Sequence, residues 1–305
     1  MNEIVTLGSW IELHRRLGDR QLMTELARGR AEVENSATCL HWLIARFGLK
    51  VSSVSLELAS ALVASGGCEV VPWVDPRYPT RIYRALGMDA PPVLYCRGAL
   101  SLFETRSFAI IGTRRPCAAG RRCAEAYARE VVRHGWSVVS GNAKGIDAAA
   151  HEAALANEGV TLVFPPSPLD QFVPTFRVKD PAHMLVATRF VPGSEITPWN
   201  FVARNELVAA HCAGALIAET GTRGGTLNTL GHLLRLRRPV FVADLGPQAP
   251  HLAGFKLVQA SGARVVPAQP DYNTLLQIQA VLADAEAAAG IDLTQEDLFR
   301  QRNGE

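Results

Sequence analysis

From Phe108 onward, short apolar runs alternate with longer amphipathic stretches. "FAIIGT" (108–113), "WSVVSG" (136–141), "VTLVF" (160–164), "HMLVAT" (183–188), "GALIAE" (214–219) and "PVFVAD" (239–244) are apolar along their whole length and of strand size. Between them "AAGRRCAEAYAREVVRHG", "GIDAAAHEAALANEG", "TPWNFVARNELVAAHC" and "GGTLNTLGHLLRLR" have helical spacing. The third of these is expected to take Thr197 as its N-cap and Pro198 as its first helical residue. Strands without an outward polar face must be covered on both sides, and helices between them supply that cover. The predicted fold class is therefore α/β: a doubly wound, mostly parallel sheet.

The flanking segments follow other rhythms. Trp10, Leu13 and Leu17, then Leu40, Leu43, Ile44 and Phe47, recur at helical intervals. "SSVSLELASALVASGG" reads as a helix stopped by Gly66 and Gly67. Residues 1–70 are thus expected to form a small helical domain. The segment "VDPRYPTRIYRALGMDAPPVLYCRG" is broken by prolines at 76, 79, 91 and 92 and reads as a linker into a domain spanning 71–269. From Pro270 to 305 the chain is an acidic tail, with an alanine-rich helix over Leu275–Ala289 and a short helix start at "TQEDLF".

Composition narrows the class. Hydrophobic residues make up 48% of the 305 and charged residues 20%, enough apolar material for a substantial core. No apolar run reaches the ~18 residues of a membrane span, and the N-terminus lacks the basic start and apolar core of a secretory signal. Six cysteines stand apart at 39, 68, 96, 117, 123 and 212 without a C-x-x-C pair, so reduced buried thiols in a cytoplasmic protein are expected rather than zinc or disulfides. The net charge of +2 hides a contrast. Residues 71–270 hold 22 basic and 14 acidic side chains, whereas 271–305 hold 2 and 7. Only four of the 31 cations are lysines; the arginine fork suits phosphate oxygens.

In an open parallel sheet, ligands bind outside the carboxyl ends of the strands. Three such ends carry glycine turns leading into helices. The first holds Gly112, Thr113 and Arg114; the second Ser140, Gly141, Lys144 and Gly145; the third Arg223, Gly224, Gly225 and Thr226. Each pairs a cation with a helix N-terminus whose free N–H groups and partial positive charge favour phosphate. Three on one rim would track successive phosphates. Asp147, His151 and Glu219 read as site organisers, Glu219 supporting a glycine turn or a cation such as Arg204, and His151 as a packed histidine. The turns match neither the dinucleotide fingerprint nor the phosphate loop of nucleotide hydrolases. No cofactor, metal or catalytic group is expected.

These residues carry a resemblance. "IIGTR" (110–114), "SGNAKGIDAAAH" (140–151), "GVT" (159–161), "RNEL" (204–207) and "ETGTRGGTLNT" (219–229) resemble, in order, the motifs of the DNA processing protein A family (DprA, also called Smf). With "DPRYPTRIYRALGMDAPPVLYCRGAL" upstream, the likeness covers roughly residues 70–268. It implies a Rossmann-like sheet domain behind a SAM-like helical one. It further implies a single-stranded DNA binder that helps load RecA in DNA uptake or serves as an accessory in phage defence, and a homodimer formed through the sheet domain. In that reading Arg114 holds a phosphate, Lys144 and Arg204 lie near it with Asn205 beside them, and the turn at Gly224–Thr226 donates backbone N–H groups.

The chain also departs from the family pattern. The proline-rich "PPSPLDQFVP" (165–174) replaces a glycine turn and cannot cradle phosphate in the same way. Ala187 and Thr188 stand where a serine–glutamate pair is expected, and Glu206 replaces a second arginine, placing an unfavourable charge near any phosphate. The family's winged-helix tail is not expected in the acidic segment. Phe172, Phe176, Trp199 and Phe201 are the candidates for base stacking. A second class stays open, a nucleotide sensor or nucleotide hydrolase of a related Rossmann-like family. There Asn228 and Thr229 occupy the place of the expected catalytic acid.

Overall fold

The computed structural model describes residues 2–29 and 35–288. In chain order the elements are α1 (Glu3–Gly29), α2 (Ser36–Phe47), α3 (Ser53–Ala64), β1 (Glu69–Pro72), α4 (Thr80–Leu86), β2 (Val93–Arg97), β3 (Ser107–Gly112), α5 (Ala118–Arg133), β4 (Ser137–Ser140), α6 (Ile146–Ala156), β5 (Thr161–Val163), β6 (Met184–Thr188), α7 (Pro198–His211), β7 (Gly214–Glu219), α8 (Gly225–Arg235), β8 (Val240–Asp244), α9 (Leu252–Ala260), β9 (Arg264–Pro267) and α10 (Tyr272–Ala288).

The continuous apolar strands sort their side chains onto two faces because successive residues point opposite ways. Phe108 and Ile110 of β3 join Tyr127 and Val131 of α5, Ala150 of α6 and Ile278 of α10 in one cluster. Ala109 and Ile111 join the other cluster, with Leu207 of α7, Leu230 of α8 and Val258 of α9. That second cluster continues without a break into Leu7, Ile11, Leu26 and Leu43 of the N-terminal helices. Trp10 and Leu13 are buried as the helical spacing requires. Gly18, at φ 69, kinks α1 into two helical pieces.

The sheet has nine strands in the order β1-β2-β6-β5-β4-β3-β7-β8-β9. Pairing from β6 to β9 is parallel, while β1–β2 and β2–β6 are antiparallel. The expected α/β, doubly wound architecture is thus present, with two additions. The stretch read as a linker contributes α4 and the sheet strand β2: Pro79 stands at the start of α4, and Pro91 and Pro92 precede β2, so none of these lies inside a strand. At the far edge β9 adds a parallel strand that was not foreseen, because only four residues of it are extended and its burial does not alternate.

Thr197 and Pro198 start α7 as expected, Thr197 and Asn200 closing a reciprocal cap. The alanine-rich helix runs over Tyr272–Ala288, and its Glu286 pairs with Arg81 and Arg106, which docks this part of the tail on the sheet domain. The "TQEDLF" segment lies outside the described residues. All six cysteines are free thiols, and only Cys117 is not fully buried. Among the described residues no helix is long and apolar enough to cross a membrane.

Candidate functional site

Strand order reverses between β3 and β7: chain progress after β3 runs outward through β4, β5 and β6, then returns to β7 on the opposite side. Gly112 at the end of β3 is in register with Glu219 at the end of β7. Loops leaving two such strands must diverge, and the divergence opens a crevice. A cleft of about 690 Å³ occupies that position. Its walls include Gly112, Thr113, Arg114, Gly141, Asp147, Arg204, Asn205, Arg223, Gly224, Gly225 and Thr226, so most of the expected site residues meet there.

The three expected anion-binding helix starts do not share one fate. At α5 the N–H of Cys117 donates to Glu219 Oε2 at 2.9 Å, and the N–H of Gly120 donates to Cys117 Sγ. This helix end already holds a carboxylate. At α6 the N–H of Ile146 donates to the Thr113 carbonyl, so the second is met by protein as well. Only α8 begins open: Gly224 caps it at φ 120 with no side-chain partner, and a Cβ there would meet nothing within 4 Å. The first-turn N–H groups of α8 have no intrahelical acceptor and face the cleft wall. Of the three helix starts expected to hold phosphate, two are satisfied internally and one is left open.

The bareness of the "SGNAKGID" turn also has an internal cause. A Cβ on Gly141 would collide with the Arg204 guanidinium, which lies flat against this backbone. A Cβ on Gly145 (φ 85) would strike the backbone of Thr113 and Arg114. Asp147 accepts from the N–H groups of Gly141 (3.1 Å) and Ala143 (3.3 Å) and lies 3.8 Å from Arg204 Nη1. Burial pushes the Asp147 carboxyl upward, against the pull of Arg204 and the two N–H donors. Burial likewise lowers Arg204, to about 10, which leaves it charged at neutral pH. Arg204 also donates to the Phe164 carbonyl at 3.3 Å, but its buried Nε has no acceptor among the described residues.

Several expectations are corrected by placement. Lys144 is exposed and does not line the cleft. Ser140 is buried and donates to the Ile110 carbonyl, tying β4 to β3. Glu219 does not hold Arg204, whose carboxylate partner is Asp147; it holds the Cys117 N–H. His151 is fully buried behind the cleft, hydrogen-bonded to Thr161 Oγ1 and stacked on Phe176, and burial lowers its imidazole to about 3. It organises the core, not the cleft. Phe176 is therefore core, and Phe172 packs against the core as well. Phe201 lines the cleft with the Arg114 guanidinium 5.2 Å from its ring centre, whereas Trp199 is 69% exposed on the other side of α7. Glu206 also faces away from the cleft, paired with Arg235 and 3.8 Å from Arg189, so it does not oppose an anion there.

Asn205 contributes through the third turn: its Nδ2 donates to the Gly225 carbonyl (3.3 Å) and to Asn228 Oδ1 (3.0 Å), steadying the start of α8. Arg115 and Thr220, which belong to the first and third glycine turns, also line the wall, and Gly221 and His251 are wall residues that the sequence did not single out. Arg115 was legible as the neighbour of Arg114; His251 follows "GPQAP" and carries no motif. Among the described residues Arg114, Arg115 and Arg223 form no ion pair. Four arginines thus face one carboxylate, Asp147, which is already engaged.

A family model described as DNA recombination-mediator protein A matches residues 69–277. The DNA processing protein DprA of Bacillus subtilis is 27% identical over 215 residues, 68% of this chain and 72% of that protein. Its Streptococcus pneumoniae counterpart is 34% identical over 157 residues, 50% of this chain and 55% of that one. A putative DprA of Mycobacterium tuberculosis is 30% identical over 93% of this chain and 72% of its own length. The crystal structure of DNA processing protein A from Streptococcus pneumoniae superposes with a TM-score of 0.65 at 25% identity, over 87% of this chain and 95% of that one. A structure of DNA processing protein A from Helicobacter pylori, described for its single-stranded DNA binding mode, superposes with a TM-score of 0.60 at 26% identity, over 71% of this chain and 96% of that one. A match over two thirds of the length, centred on the sheet that builds the cleft, is decisive: the chain belongs to the DNA recombination-mediator protein A family.

Proposed function

We propose that the protein binds single-stranded DNA along this cleft and acts as a recombination mediator that presents the strand to a RecA-type recombinase. One observation carries the reading: four arginines and an uncapped helix start converge on an open cleft whose single carboxylate is internally engaged. Backbone phosphates supply the missing anions. The rigid pair Asp147–Arg204 preorganises the floor, while exposed Arg114, Arg115 and Arg223 supply mobile forks. Phe201 offers an apolar wall under Arg114 for a sugar or base face. Contacts of this kind position a strand without reading its sequence. Membership of the family extends the proposal to a homodimer acting in the cytoplasm, in DNA uptake or in phage defence. Asp147, the one carboxylate of the cleft wall, is committed to two N–H groups and Arg204 and is not free to act as a hydrolytic acid or base.

Fluorescence anisotropy with a labelled single-stranded oligonucleotide tests the reading. Neutralising three to six phosphates gives a log–log salt slope of about −2 to −4 at roughly 0.7 per phosphate. Arg114→Ala is expected to weaken binding by about 1–3 kcal/mol and to flatten that slope by up to about 1. Unchanged affinity together with an unchanged slope would remove Arg114, and with it this cleft, from the DNA path.

A further inference from the structure

Beside the open helix start the cleft wall contains His251, at the N-cap of α9. Its Nε2 is 3.6 Å from Glu219 Oε1, and the histidine side chain is 37% exposed. Glu219 itself is almost fully buried, 1% exposed at its side chain, and its two oxygens are unequal. Oε2 accepts from the Cys117 N–H; Oε1 has no hydrogen-bond partner among the described residues. A buried carboxylate oxygen left without a donor is costly, so it calls for a cation beside it. The imidazole is the group within reach.

We infer that His251 is a further anion-contacting residue of the cleft, charged when a phosphate is bound and held by Glu219 as its positioning residue. The inference rests on the binding reading above. A phosphate on the cleft side leaves the imidazolium between two anions, one N–H donated to the strand and the other to Glu219 Oε1. Both neighbours favour the protonated ring, so binding takes up a proton. The charged groups that share its surroundings are Glu219 on β7, Asp244 at the end of β8, Arg223 before α8, and Arg114, Arg115, Arg204 and Asp147 across the cleft. Affinity is therefore greatest below the imidazole range and falls as pH rises through it.

The test is the oligonucleotide dissociation constant from pH 5.5 to 8.5 at constant ionic strength, for the wild type, His251→Gln and Glu219→Gln. A bound-state shift of one unit makes the wild type about tenfold tighter at the acid end. His251→Gln is expected to flatten most of that dependence, and Glu219→Gln to move the midpoint to lower pH. A His251→Gln profile that parallels wild type overturns the inference and leaves the cleft reading intact. Absence of wild-type binding at every pH overturns both. In parallel, the His251 ring proton in the wild-type protein is followed by NMR with and without oligonucleotide, which needs no variant to fold. A titration midpoint that does not rise on binding also overturns the inference.

Discussion

Gly141 and Gly225 sit in turns that look alike in the sequence, yet their surroundings differ. The space at Gly141 is filled by the Arg204 guanidinium, whereas a Cβ at Gly225 would approach only Asn205 Nδ2, at 3.9 Å. Gly141→Ala must therefore displace a buried charge that partners Asp147. Overpacking alone costs about 1–3 kcal/mol, and a loosened ion pair adds to it. The expected outcome is a clearly lowered urea midpoint together with weaker DNA binding. Gly225→Ala is expected to keep the wild-type midpoint and lose affinity, because its methyl group stands where a phosphate would meet the start of α8. Equal effects of the two substitutions on stability would contradict the internal role assigned to Gly141.

α7 is the element that separates the cleft from a second cavity. Phe201, Arg204 and Asn205 face the cleft, and Trp199, Val202 and Glu206 face the other side. The helical period thus turned Glu206 away from the anion site, a consequence of its place beside Asn205 that could have been argued from spacing alone. On that second side Asp19 of α1 accepts from Arg189 Nη2 at 2.6 Å and from the buried ring of His14, also at 2.6 Å. Burial raises this carboxyl, but His14 and Arg189 outweigh it and hold Asp19 at about 2. A carboxyl so depressed stabilises the fold above about pH 4 and loses that contribution as pH falls toward 2. Asp19→Asn is expected to lower stability at pH 7 by no more than about 1 kcal/mol, since the side chain is partly exposed, and to reduce the loss seen between pH 4 and 2. Urea unfolding at pH 7, 4 and 2 checks both.

For the molecule as a whole, two histidines set the acid limit. His151 and His211 are fully buried, and burial holds each at about 3. His211 lies edge-on to Phe103 and Phe164, and neither ring nitrogen has a hydrogen-bond partner among the described residues. The unfolded chain binds protons at these rings from about pH 6.5 downward and the folded chain refuses them until about pH 3, so stability falls as pH drops through that window. Between pH 7 and 5 the loss is expected to be on the order of 2–4 kcal/mol, read from urea unfolding curves. A stability that stays level over that range would place both rings in contact with solvent.

The α/β class, the places of six central strands and four helices, and the glycine turns at three strand ends were determined by the sequence alone, because each depends on residues close together in the chain. Burial on both faces writes an unbroken apolar run, and a helix writes its own period and cap, as at Thr197 and Pro198. The pairing of β3 with β7, the antiparallel strands β1 and β2, and the edge strand β9 were decided by tertiary structure. So was the fact that only the α8 start is open while Glu219 and Thr113 fill the other two. These depend on residues well separated in the chain, as far apart as Cys117 and Glu219, whose meeting leaves no local signature. The positive charge at the strand ends was legible in the chain; which groups were already neutralised could be known only once the strands were placed side by side.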